Sequence, residues 1–259
     1  MFLSDFQPII CNLPKELDYA DIYFIHDLHF GSELFDDKKW KAFKNKIQND
    51  ENAYICWIGD LMENAIPNSK SDIFTQRQSP AEQKEWVTQQ LIDLKDKTIA
   101  VVPGNHEYNR TTKASGLYPL YDCCLLAGLD EKYRNIIAFI NIAVGTRAKD
   151  PKQQTHYLGQ IQHQAKDTKL VCSADYTDGI DFFAFGHDHE PKDKPRAKLV
   201  FDVQKKNIYQ KSVECLNSGS NCFFGGYGAR GAYRPQSPKM YKLRIFGSKK
   251  EMESTGFYV

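Results

Sequence analysis

The chain has no C-x-x-C pair, and its seven cysteines (Cys11, Cys56, Cys123, Cys124, Cys172, Cys215 and Cys222) are odd in number and scattered. Neither a disulfide framework nor a zinc ribbon is expected, and the thiols read as reduced, small hydrophobic fillers. Long apolar runs are missing too: nothing approaches the roughly 20 residues that span a bilayer. Met1 to Leu17 carries Asp5 and prolines and lacks the basic-then-apolar layout of a secretory leader. A cytoplasmic location and no membrane partner are expected. An excess of one charge is also absent, with a formal net charge of +1 over 259 residues, so bulk charge selects no polyanionic partner. Without repeats, low-complexity stretches or a Pro/Gly-rich linker, residues 1–259 read as a single domain with a sizeable core.

What the chain does have is a series of short apolar runs that stop at polar residues. Ala20 to His26, Ala53 to Ile58 and Thr98 to Val102 read as buried strands. Between them, Asp36 to Gln48 places Trp40, Phe43 and Ile47 at helical spacing. Ser79-Pro80-Ala81-Glu82 combines an N-cap serine, a proline at the first helical position and a glutamate placed for a capping box, so a helix to about Leu94 follows. The polar, aperiodic stretch Asn64 to Gln78 is a long loop directly after Asp60, expected to overhang whatever Asp60 serves.

Further on, Leu117 to Ala127 is helical with Gly128 as C-cap. Ile136 to Val144 and Thr155 to Gln162, joined by turn chemistry at Lys149-Asp150-Pro151-Lys152, read as strands that pair back on each other. Thr168 to Asp178 reads as a short helix and Asp181 to Phe185 as a strand. Ala197 to Val203 and Asn207 to Leu216 form a hairpin, and Met240 to Phe246 adds another strand. Strand-helix alternation followed by antiparallel strands predicts an α/β (α+β) fold, a two-sheet sandwich flanked by helices.

Four of the apolar runs end in ligand-type side chains. Asp27-Leu28-His29 follows the first, Gly59-Asp60 the second, Gly104-Asn105-His106-Glu107 the third, and Gly186-His187-Asp188-His189 the run Asp181 to Phe185. Strand ends are where open α/β sheets keep their sites. Carboxylate, imidazole and carboxamide groups gathered at one sheet edge have the donor character of a metal site. In D-x-H and H-x-H the two ligands lie two positions apart, so an extended segment points both to one side.

In this order the four motifs resemble those of the calcineurin-like metallophosphoesterases, in a bacterial or phage type of member, and the resemblance covers roughly Ala20 to Phe246. It implies a phosphoric ester hydrolase, a phosphatase or phosphodiesterase, with two divalent cations: Mn²⁺ foremost, Fe or Zn²⁺ as alternatives. By the family pattern Asp60 bridges the two ions, Asp27, His29 and His189 complete the first, and Asn105 and His187 join Asp60 on the second. A water made acidic between ions about 3.5–4 Å apart then attacks phosphorus in line. His106 takes the catalytic place near the leaving-group oxygen, with Glu63 placed to pair with it and favour the imidazolium. Arg110 and His26 are candidates for a substrate-binding rim.

One family feature is missing. No His-Gly pair exists in the chain, although the family takes the last ligand of its second metal from one. His163 ends the run Thr155 to Gln162 and repeats the strand-then-ligand logic, so it is the expected replacement. His156, nearer the start of that run, is a weaker candidate. Water or substrate could fill the position instead, which leaves the second ion weakly held. The expected substrate is a phosphorylated small molecule or nucleotide. An alternative is a nuclease, whose backbone contacts would come from the lysines and arginines of Lys192 to Lys211 and Arg230 to Lys250. The missing His-Gly also invites a reading of another class, a scaffold that keeps the fold without turnover. Last, Phe223, Phe224 and Tyr233 lie among glycines and arginines, as a loop that caps the core or, less simply, as a wall that stacks a base or sugar.

Overall fold

The computed structural model describes every residue except 1–3, 68, 70 and 164–176. A short first strand, Ile9–Asn12 (β1), precedes the motif-bearing strands Tyr19–Ile25 (β2), Ala53–Ile58 (β3) and Thr98–Val102 (β4). The last three are parallel neighbours, and β3 and β4 are buried along their whole lengths, which is why they read as unbroken apolar runs. Helices Asp37–Asn49 (α1) and Pro80–Asp93 (α2) connect them. The Asp36 carboxylate caps α1, and Ser79 with Glu82 closes the expected capping box on α2.

After β4 the chain makes a π-helical turn over His106–Thr112, one helical turn Lys113–Ser115 (α3) and the helix Pro119–Ala127 (α4), which ends at Gly128 in the left-handed conformation that favours glycine. Ile137–Val144 (β5) and Thr155–Gln162 (β6) pair antiparallel as expected. Phe182–Phe185 (β7), Lys192–Asp193 (β8), Arg196–Asp202 (β9) and Asn207–Asn217 (β10) follow, then Gly226–Arg230 (α5), Met240–Phe246 (β11) and Met252–Phe257 (β12). The segment Thr168 to Asp178, read above as a short helix, lies almost wholly outside the described residues.

These strands form the two expected sheets. One runs β12-β11-β2-β3-β4, and the other β1-β5-β6-β7-β10-β8 with β9 paired to β10. Between them lies an apolar layer that includes Ile22, Phe24, Ile58 and Val102 from the first sheet and Ile140, Tyr157, Phe182 and Leu216 from the second. A second layer, including Trp40, Phe43, Trp57, Val87 and Leu120, joins the first sheet to α1, α2 and α4. Each such fully buried side chain contributes roughly 1.5–3 kcal/mol. The inter-sheet layer therefore fixes one set of strand ends against the other.

Register then places the motifs. Strands β2, β3 and β4 run one way, and β6, β7 and β10 are mutually parallel in the other sheet. Their carboxyl ends meet where His163 Nδ1 lies 2.6 Å from the Ile58 carbonyl and the Gly186 N–H donates to the His163 carbonyl. Among the described residues no helix is long and apolar enough to cross a membrane. Among the described cysteines, Cys56, Cys123, Cys124 and Cys215 are buried as fillers.

Candidate metal centre

The site is assembled from loops that cross very closely. A Cβ on Gly104 would lie 2.1 Å from Asp60 Oδ1, and one on Gly59 2.1 Å from the Gly104 nitrogen, so both turns require glycine for contact alone. Of the eight described non-glycine residues at positive φ, five are Asp27, His29, Asp60, His187 and His189. That strain, of order 1–3 kcal/mol per residue, is concentrated where the ligand-type side chains turn inward.

Asp27 is wholly buried, and its two oxygens are treated differently. Oδ2 is held by His26 Nδ1 at 2.5 Å and by the His187 N–H at 2.8 Å. Oδ1 has no hydrogen-bond donor, although His189 Nε2 lies 3.2 Å away, His29 Nε2 3.5 Å and His163 Nε2 4.0 Å. An orphaned buried carboxylate oxygen facing imidazole nitrogens is costly to a protein alone and suits a cation. One ligand atom each from Asp27, His29 and His189 lies within 4.8 Å of the others, and the same holds for Asp60, His163 and His187. Asn105 joins the second group, its Oδ1 3.2 Å from His163 Nε2, while Asp60 Oδ2 is also 3.2 Å from that nitrogen.

The protons of these rings are set by their partners. The Ile58 carbonyl can only accept, so His163 carries hydrogen on Nδ1 and turns Nε2 toward Asp60 and Asn105. Glu63 Oε2, 3.2 Å from His29 Nδ1, does the same for His29. Such outer partners orient a ligating imidazole. Burial alone would lower the His163 pKa, but the Asp60 carboxylate overrides it and pushes the ring up to about 9. Burial likewise opposes ionisation of Asp27 and Asp60, and the surrounding imidazoles hold both well below the usual carboxylate range.

His106 departs from expectation. Glu63 lies nearer His29 than His106, whose Nδ1 is 3.7 Å away, and is also bound by Arg110 NH1 at 2.9 Å. Its charge is therefore shared elsewhere. Burial pushes the His106 imidazole down to about 4, with His29 and Arg110 adding to the effect against Asp60 and Glu63. Arg110 NH2 lies 2.8 Å from His106 Nε2 and can only donate, so the neutral ring carries its proton on Nδ1.

Two side chains have roles not read from the sequence. Both Glu107 oxygens are used: Oε2 accepts from the Asp60 and Gly104 N–H groups, Oε1 from those of Leu61 and Met62. One buried carboxylate thus ties the loop after β3 to the loop after β4. His26, expected at the rim, is buried. The Ser218 N–H donates to its Nε2, so its Nδ1–H is the donor to Asp27. Sequence alternation gives no signal for this contact, because both residues lie past the end of β2 and Asp27 turns at positive φ.

His26 offers a direct prediction. His26→Asn, whose amide can stand in for Nδ1–H, is expected to keep most metal affinity, whereas His26→Leu frees Asp27 and weakens it by about tenfold or more, the range for such outer partners. Equal affinity in the leucine variant and wild type, measured by calorimetric titration, would remove His26 from this role.

The remaining candidates separate clearly. His156 sits at the far end of β6, exposed, and pairs with Asn141 instead of the site. The loop Asn64 to Gln78 is pinned by Gln83, which binds the Asn64 N–H and the Gln78 carbonyl, and it reaches Arg110 through Ser71 Oγ. Phe223, Phe224 and Tyr233 are exposed, which corrects the core-capping reading of that segment.

A sequence model of calcineurin-like phosphoesterases matches residues 20–191. Among solved structures, Vps29 from Chaetomium thermophilum is 11% identical, with 92% of this chain and 95% of that one covered at a TM-score of 0.43. A Streptococcus pneumoniae protein described as a predicted phosphoesterase is 12% identical, with 94% and 99% covered at a TM-score of 0.42. No curated protein matches the chain.

Proposed function

The chain belongs to the calcineurin-like phosphoesterase family, and on that premise we propose that it hydrolyses phosphate esters with the help of bound divalent cations. The observation that carries this reading is the orphaned Asp27 Oδ1, buried without a donor among imidazole Nε2 atoms. Asp27, His29, Asp60 and His189 would hold one ion, and Asp60, Asn105, His163 and His187 a second, with Mn²⁺ first and Fe or Zn²⁺ as alternatives. Two such cations, when bound, neutralise phosphate charge and acidify a water for attack on phosphorus.

The chain's own residues do the rest. Ile58 and Glu63 fix the tautomers of His163 and His29, so Nε2 lone pairs face inward. Asp60 Oδ1 accepts the His106 backbone N–H at 2.7 Å, which keeps the His106 ring near the Asp60 carboxylate, with Nε2 3.7 Å from Oδ2. An anionic ester entering beside His106 supplies the opposite charge that raises its pKa, and the proton so gained is available to the leaving oxygen. Eight of the lysines and arginines suggested for a nucleic-acid track, Lys192, Lys198, Lys205, Lys211, Lys242, Arg244, Lys249 and Lys250, have acidic partners, which weakens that alternative. A phosphorylated small molecule is the better reading.

The test is metal content together with hydrolysis of mono- and bis-p-nitrophenyl phosphate in Mn²⁺, extended to a wider phosphoester panel. No turnover of any ester would sink the enzyme reading. Metal binding also has a pH signature. In the metal-free protein the His163 pKa is raised from 6.5 to about 9, so its contact with Asp60 stabilises the fold fully below pH 6.5 and is lost as pH climbs through 9. The same proton competes with the cation. Affinity is expected to rise with pH across that window, with proton release detected as a buffer-dependent heat; a flat profile without release would exclude His163 as a ligand.

A further inference from the structure

Beside the candidate metal centre lies an open cleft of about 340 Å³ between the π-helical turn and the loop after β3, lined by Ile66, Ser69, Asn109, Arg110, Lys113 and Ala114. π-Helical turns are uncommon and often accompany functional sites. This one begins at His106 and brings Asn109, Arg110 and Lys113 to a common wall. Arg110 belongs to both places: its NH2 group is 2.8 Å from His106 Nε2 while its side chain lines the cleft. The cleft therefore starts one side chain away from the ring placed near the leaving oxygen.

Its charge is one-sided. No carboxylate is among the described lining residues, and the Arg110 charge is met by Glu63. Lys113 is exposed and forms no ion pair with any described residue. An uncompensated ammonium beside a carboxamide suits a phosphate oxygen. Ile66 and Ala114 provide apolar surface for the carbon skeleton that carries it. The volume is at the small end for ligand sites and enough for a sugar-sized group.

We propose that this cleft is a leaving-group subsite and that the substrate is a small phosphoester whose leaving group carries a second phosphate, read by Lys113 with Asn109 and Arg110. The proposal rests on the phosphoesterase reading above. It is tested first without turnover, by titrating chelator-treated, metal-free protein with inorganic pyrophosphate. Wild type should bind it, and Lys113→Ala and Lys113→Glu should lose about tenfold or more in affinity, the size of a charge-assisted hydrogen bond. Lys41→Ala, which alters an exposed lysine on α1, serves as the control for general charge and should bind as wild type does.

The second arm compares kcat/KM for adenosine 3′,5′-bisphosphate and adenosine 5′-monophosphate in Mn²⁺. A preference of about tenfold or more for the bisphosphate that collapses toward unity in Lys113→Ala supports the subsite. Turnover of both with no preference, or a preference that survives in Lys113→Ala, overturns it. Should no ester be hydrolysed while pyrophosphate still binds in a Lys113-dependent way, the phosphoesterase reading fails and the anion site stands.

Discussion

His106→Ala is expected to lower turnover by about 10²- to 10⁴-fold, the usual worth of a positioned acid or base, while the first cation stays bound. The division follows from which atoms His106 touches. Its backbone N–H, which alanine keeps, is what binds Asp60 Oδ1, so the Asp60 carboxylate stays in place. The ring itself accepts from Arg110 at Nε2, stands 3.7 Å from Asp60 Oδ2 and touches His29 at 3.2 Å through Nδ1, whereas it is the Nε2 of His29 that faces Asp27 and His189. Asn105→Ala should do the reverse, removing the oxygen 3.2 Å from His163 Nε2 and weakening mainly the second ion. Metal content by elemental analysis, set beside kcat for each variant, checks both. Equal metal loss in the two would refute the division of labour within Gly104-Asn105-His106-Glu107.

Much of the fold was readable because its strands are bounded apolar runs. Ala53–Ile58, Thr98–Val102 and Thr155–Gln162 begin and end where composition says they should. Ile9–Asn12 was not, since four residues that mix apolar and polar character carry too little pattern, and Met252–Phe257 is a half-exposed edge strand. The types of the candidate ligands were readable for the same reason: each follows a strand end, and parallel register does the gathering. Partner choice was not. Whether Glu63 serves His29 or His106 depends on half an ångström between loops more than 30 residues apart, 3.2 against 3.7 Å. No sequence spacing encodes that difference. Nor does periodicity announce a π-helical turn, yet that turn is what sets Arg110 against His106 and opens the cleft beside them.

The largest effect on stability is expected at Glu107. Its burial and the nearby Asp60 both work against ionisation and raise its pKa, so its charge by itself is unfavourable. What offsets this is the set of backbone N–H groups from Asp60, Leu61, Met62 and Gly104, which occupy both oxygens and leave no lone pair free for a proton. Each buried N–H left without an acceptor costs roughly 1–3 kcal/mol. Glu107→Leu orphans all of them. Glu107→Gln keeps one acceptor oxygen, enough for either the Asp60 and Gly104 pair or the Leu61 and Met62 pair, and turns an NH₂ donor toward the rest. Glutamine should therefore lose about half of what leucine loses, roughly 2–6 kcal/mol by the same cost per group, with Asp60 and the metal it would bridge displaced in both. At about 2–4 °C per kcal/mol for a protein of this size, thermal unfolding resolves the difference. If glutamine and leucine are equally destabilising, the carboxylate acts through its charge; if glutamine matches wild type, the N–H groups have found other acceptors and Glu107 does not join the loops.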